Sequence, residues 1–247
     1  MNFSRLSCEG DKVKHYFFTS TKDFVVNSSV STKDIDDCFD FAWGMTFGGL
    51  GEHREKRSGG TKKRGPESIF QDTFQGKLAE YAVYNYFAQN EDITVSIPDF
   101  SQSKKGKWDS NDLMIDDDYI TIKSTKQQGN LFLLEVKDWD SNATYIPNKD
   151  KDNQGVYDYF MFVRIAPAAK DIFKGIHNNS QKEYKLKAEK TIWKPNIVGF
   201  LPAYIVKEYI KQGFIIKRND YITKRTRIDA DNYYIQSGDF LDIEDFL

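Results

Sequence analysis

Cysteine is nearly missing from this sequence, with only Cys8 and Cys38 in 247 residues. Two thiols so placed make neither a metal-ligand spacing nor a disulfide framework. They read as reduced structural thiols, and a reducing, cytoplasmic setting is expected. Histidine is scarce too, and His15, His53 and His177 are too scattered to form a ligand pair. No apolar run approaches the roughly 20 residues of a membrane span, so no membrane partner is expected. Residues 1–14 lack the apolar centre of a signal peptide. A serine elbow, a Walker loop and a dinucleotide glycine fingerprint are all missing, which leaves no motif for an organic cofactor. Charge of one sign is missing as well, since the formal net charge is -2. A nucleic-acid-binding domain is often clearly basic, so any such surface here has to be local.

What is present is core-forming material. Aromatic residues make up 15% of the chain, which excludes a disordered polymer. The length suits one domain over 1–247, large enough to bury its own core. Residues 13–18 and 23–26 are β-prone, and 32–45 suit a helix capped at Ser31 or Thr32. The segment 51–65, GEHREKRSGGTKKRG, carries six Lys/Arg against two acids, with four glycines. Such a stretch cannot build a core. It reads either as a solvated mobile loop or as a basic arm that closes on phosphates through Arg54, Arg57, Lys62, Lys63 and Arg64. The strongest helical pattern follows over 67–89, where Phe70, Phe74, Leu78, Ala82 and Tyr86 recur every fourth residue. Glu80 falls on the edge of this stripe, one turn after Gly76. The run YDYFMFVRI at 157–165 is nearly all apolar, as a strand buried on both faces would be. Residues 131–136 form a short apolar run of either type, and short strands over 197–200, 214–217 and 232–236 with a helix over 203–212 complete a mixed sheet flanked by helices, an α/β fold.

The segment WDSNDLMIDDDYITIKST, residues 108–125, carries the chemistry. Two short strands, 112–115 and 119–124, flank the acidic turn Asp116-Asp117-Asp118. Alternation sends Ile120 and Ile122 to one face and Thr121 and Lys123 to the other. If the hairpin pairs Asp112 opposite Thr121 or Lys123, the carboxylate joins that polar face; a register slip of one residue would remove it. A carboxylate beside a lysine on a rigid sheet suits phosphodiester hydrolysis. The carboxylate holds Mg²⁺, the ion polarises the phosphate and acidifies a water, and the lysine handles the water or the charge that develops. The Ile122 carbonyl is a further hard ligand in reach.

Asp112, eight residues, then Thr121-Ile122-Lys123 resembles the signature of the PD-(D/E)XK nucleases, and the preceding helix with Gln75-Gly76-Lys77 and Glu80 resembles theirs. The resemblance covers about 67–165, which it implies is the nuclease core. It extends more faintly into VGFLPAYIV and RTRIDADNYYI, in a C-terminal elaboration over 195–247. It implies a restriction-endonuclease-like core, with Asp112 as metal ligand, Lys123 as catalytic lysine and Glu80 as auxiliary ligand. Thr121 stands where that family usually has an acid, and a neutral hydroxyl is a poor Mg²⁺ ligand. Glu80, or Glu135 as a displaced acid, is then expected to supply the second carboxylate. The cofactor implied is Mg²⁺, with Mn²⁺ able to substitute.

The partner implied is double-stranded DNA, cut at a specific site by a type II restriction endonuclease-like protein of the bacterial cytoplasm. A palindromic target would match a homodimer. Ser124, Thr125, Lys126, Gln127 and Asn130, just past the catalytic strand, suit phosphate or base-edge contacts, or an ordinary loop. Lys224, Arg225 and Arg227 form a second basic cluster, which is either solvated or DNA-facing. Trp108, Trp139 and Trp193 are read as core residues before base-stacking ones. Two other functions stay open: a repair or junction nuclease on the same fold, and a DNA-binding module that the Thr121 substitution has left without catalysis.

Overall fold

The computed structural model describes residues 3–49, 65–100, 112–148, 155–176 and 180–246. Arg54, Arg57, Lys62, Lys63, Arg64 and Trp108 lie outside the described residues. Five helices are described: α1 (Thr32–Thr46), α2 (Pro66–Phe87), α3 (Ala169–Phe173), α4 (Gln181–Lys190) and α5 (Ala203–Lys211). The described strands are β1 (Ser7–Glu9), β2 (His15–Phe17), β3 (Leu113–Ile115), β4 (Asp118–Lys126), β5 (Leu131–Glu135) and β6 (Tyr159–Ala166). They continue with β7 (Lys194–Pro202), β8 (Ile215–Ile216), β9 (Tyr221–Ile222), β10 (Thr226–Arg227) and β11 (Asn232–Gln236).

Local chemistry sets where the long helices begin. Ser31 Oγ accepts from the Asp34 N–H while the Asp34 carboxylate accepts from the Ser31 N–H, so α1 opens with two of its orphan donors satisfied. Proline opens α2, at the position where its missing N–H costs nothing. The expected stripe on α2 is buried, with Phe70, Phe74, Leu78 and Ala82 all at 0% exposure. A helix buried over so wide a face packs on several neighbours, here α1, α3 and the central sheet.

The central sheet runs β3-β4-β6-β7. The β4–β6 pair is parallel and the outer pairs are antiparallel. Parallel neighbours need a long connection, and β5 lies within it, paired with β11 in a second sheet ordered β5-β11-β8. The β6 strand is buried on both faces, as its apolar run predicts. Met161, Val163 and Ile165 join a core shared with α1–α4. Phe160 and Phe162 join another shared with the second sheet and α5. The architecture is thus a mixed sheet flanked by helices, the α/β class expected. The β7 strand lies inside the range read as an elaboration, yet it pairs with β6 along its length.

The β-prone stretch 23–26 is extended without being a strand. Its carbonyls are taken by side chains instead: Asp23 accepts from Arg164 and Val25 accepts from Asn196. Arg164, 2% exposed, also donates to Lys22 O, Asn130 Oδ1 and Asn196 Oδ1. A buried guanidinium persists only with its donors met, and these acceptors bind the N-terminal segment to β6 and β7. A small third sheet, β1-β2-β9-β10, joins the N-terminal hairpin to residues 221–227. Among the described residues no helix is long and apolar enough to cross a membrane.

Candidate active site

The β3–β4 hairpin pairs Leu113 with Ile120, Met114 with Tyr119 and Ile115 with Asp118. One step further along the same register lies Asp112 opposite Thr121, the pairing that brings the carboxylate to the polar face. The contacts bear this out. Asp112 Oδ2 accepts from Thr121 Oγ1 at 3.1 Å and from the Ile122 N–H at 2.6 Å. The first residue before β3 thus ends the ladder with its side chain, taking the strand donor that a backbone carbonyl would otherwise take. Oδ2 is engaged twice and the carboxylate is held in one orientation, with Oδ1 turned away from both donors.

Within a strand, the N–H and C=O of one residue point to the same neighbour. The Ile122 N–H meets Asp112, so the Ile122 carbonyl is directed to that same edge. Thr121 is 1% exposed and pairs with Phe160; Lys123 follows on the same face, half-buried, beside Phe162. Among the described residues the Lys123 side chain forms no hydrogen bond and no ion pair. Asp112, Thr121, the Ile122 backbone and Lys123 therefore gather at one sheet edge.

Sequence reasoning missed Tyr157, which it took only as the start of an apolar run. Tyr157 is 8% exposed, and its ring lies 5.9 Å from both Trp139 and Phe160. Burial, and after it the charge of Asp112, pushes the phenol above its ordinary value, which keeps it a donor at neutral pH. A tyrosine where a loop enters a buried strand was the signal available.

Of the two other expected acids, Glu80 lies away from this edge, while Glu135 lies in the second sheet, whose Phe132 packs on Phe160 and Phe162. Glu80 is buried in the helical layer, on the side of the sheet faced by Ile120 and Ile122 rather than by Thr121 and Lys123. Its Oε2 accepts from Lys77 Nζ at 2.8 Å, and Lys77 also donates to Asp99 O. Phe41 and Phe100 lie about the same ammonium at 5.1 and 5.3 Å. Glu135 ends β5 in the second sheet, paired with Asn232. Among the described residues no three of His, Cys, Asp and Glu come close enough to hold a metal together. Asp112 offers a carboxylate at this edge, with Thr121 and the Ile122 carbonyl as neutral oxygens. Mg²⁺ is commonly held by one or two carboxylates, waters and substrate phosphate, and this donor set suits that mode.

The expected DNA contacts divide. Lys126 and Gln127 are exposed at the end of β4, and Ser124 and Thr125 are half-buried within it. Gly129 closes the turn, because a Cβ there would lie 2.3 Å from Thr125 Cγ2. Asn130, expected at a phosphate or base, has its side-chain oxygen drawn inward by Arg164 at 3.1 Å and by the Ser237 hydroxyl at 3.0 Å. Lys224, Arg225 and Arg227 are exposed on the small third sheet and its hairpin, with Arg227 donating to Asn219 Oδ1. Trp139 and Trp193 are core residues, as read from the sequence. Compared with known proteins, the chain matches no family model, no curated protein and no solved structure.

Proposed function

We propose that this chain is a Mg²⁺-dependent endodeoxyribonuclease of the PD-(D/E)XK type, cutting double-stranded DNA at a specific site as type II restriction enzymes do. The observation that carries this reading is the oriented Asp112 carboxylate, bonded to Thr121 Oγ1 and the Ile122 N–H, with Lys123 on the same face. In the hydrolysis a water oxygen adds to phosphorus, the bond to one deoxyribose oxygen breaks, and that oxygen leaves with a proton. Asp112 Oδ1 and the Ile122 carbonyl would hold the cation. When bound, Mg²⁺ polarises the phosphate and lowers the pKa of a coordinated water. Lys123 Nζ, without a partner among the described residues, holds the attacking water or neutralises the charge gathering on the phosphoryl oxygens. Thr121 orients Asp112, a hydroxyl doing by hydrogen bond what the family's acid does by ligation. Lys126 and Gln127, next along the strand, would follow the DNA backbone.

A second reading, a DNA-binding module without hydrolysis, is favoured by one observation: Thr121 is neutral and Glu80 is bonded to Lys77 instead of facing Asp112. Plasmid DNA incubated with and without Mg²⁺, beside the Asp112→Ala and Lys123→Ala variants, separates the two. Discrete Mg²⁺-dependent fragments, lost in both variants, are expected. Binding without cleavage on methylated and unmethylated DNA alike would select the module, and cleavage kept by both variants would put the active centre elsewhere.

A further inference from the structure

We propose that Tyr157 is a further substrate-binding residue of this site, its phenolic O–H donating to a non-bridging oxygen of the DNA phosphate that Asp112 and Lys123 face. The assignment rests on the nuclease reading. Its position comes from a chain of neighbours: the Thr121 hydroxyl bonds to Asp112, Thr121 pairs with Phe160, and the Tyr157 ring meets the Phe160 ring edge-on at 5.9 Å. The next residue is pinned from three sides. Asp158 N–H donates to Tyr119 O, Tyr119 N–H donates to Asp158 Oδ2, and Ala203 N–H donates to Asp158 O. With Trp139 packed 5.9 Å from it and 5.3 Å from Phe160, the ring has little freedom to turn.

The hydroxyl is the informative part. A tyrosine buried this deeply normally donates to something. Tyr209 does so here, at 2.7 Å to Asp239 Oδ2, and Tyr81 at 2.8 Å to Asp37 Oδ2. Tyr157 is buried like them, yet among the described residues nothing accepts from it, and its oxygen is not one of the side-chain atoms sealed from solvent. A held phenol within reach of the Asp112 charge, on the sheet face that also carries Lys123, fits a ligand that brings several negative oxygens, as a phosphodiester does. Nothing in the packing of the aromatic wall requires the hydroxyl, because phenylalanine would fill the same space.

Tyr157→Phe keeps the ring and removes the donor. Cleavage of plasmid DNA at saturating Mg²⁺ should fall about tenfold or more in kcat, as when one charge-stabilising donor is lost. Thermal midpoint and Mn²⁺ affinity should stay those of the wild type. A variant that cuts and binds DNA as well as the wild type overturns the assignment and leaves the nuclease reading standing. Should the wild type bind DNA in Ca²⁺ but never cut, affinity decides: a severalfold weaker Kd for Tyr157→Phe keeps the phosphate contact while the nuclease reading falls, and an equal Kd sinks both. A wild type that neither binds nor cuts overturns both.

Discussion

The Glu80–Lys77 pair and the edge that carries Asp112 and Lys123 are built in opposite ways. At the α1–α2 interface, Glu80 and Lys77 are 7% and 8% exposed and bond to each other, with Asp99 O and two aromatic rings completing the ammonium's surroundings. At the β3–β4 edge, Asp112 is fixed by a hydroxyl and a backbone N–H, and the Lys123 side chain has no partner among the described residues. The first pair is bonded within the protein, which suits a buried pair that must offset its own desolvation. In the second, among the described residues, the Lys123 ammonium and the Tyr157 hydroxyl have no hydrogen-bond partner, which is what the proposed phosphate contact would use. Arg164 belongs with the first kind, since its donors end on Asn196, Asn130 and two backbone carbonyls. Side-chain type does not separate a site from a fastening; whether the polar atoms are already satisfied does.

Variants can break that contrast. Asp112→Asn keeps an acceptor for Thr121 and Ile122 but removes the charge, so the fold should survive while cleavage falls by about 1,000-fold, equal to about 4 kcal/mol of barrier. Circular dichroism beside a plasmid assay checks both halves, and unchanged cleavage would end the role given to Asp112. Arg164→Met should do the reverse. Its stranded acceptors should cost about 3 kcal/mol of stability and lower the thermal midpoint by about 10 °C, read by calorimetry. Glu80→Gln tests the closed pair more finely. A destabilisation of about 1–2 kcal/mol with unchanged metal affinity is expected, because Lys77 loses its charged partner inside the protein. A loss of metal binding at unchanged stability would instead move Glu80 into the site.

The acidic turn gives the smallest effect. Partial burial, then Asp158, Asp116 and Asp117, holds the Asp118 carboxyl above its usual value of 3.8. A raised carboxylate favours the folded state only when protonated, so this contribution is present below the unfolded value and lost as pH rises. Asp118→Asn should therefore raise the thermal midpoint at pH 7 by only about 1 °C, since water screens the repulsion, and the gain should vanish below about pH 4. A gain that persists at low pH would point to something other than charge.

Much of the β3–β4 edge was legible before any fold was known, because period-two alternation fixes which residues share a face. Thr121 with Lys123, and Ile120 with Ile122, follow from spacing alone. The α2 stripe and the doubly buried β6 were legible for the same reason, as was the Ser31 cap. Glu80 shows where such reasoning stops. A helical pattern says that a residue lies at the edge of a buried stripe, not which neighbour waits there, and the neighbour is Lys77, one turn away. Asn130 read as a polar loop residue because Arg164 and Ser237 are 34 and 107 residues further on. Tyr157 was hidden by company, since a tyrosine opening an apolar run looks like part of the run.

The sequence by itself determined much of the periodic content of this protein: helices α1, α2 and α5, the hairpin with its acidic turn, the strand buried on both sides, and the polar face that carries Lys123, though not α3 or α4. These are set by contacts a few residues apart, which propensity and alternation record. The tertiary structure alone decided the hairpin register that brings Asp112 to Thr121, the division of the strands among three sheets, and which charged groups are consumed internally. Those depend on partners distant along the chain, whose meeting reflects the packing of whole layers and leaves no local trace.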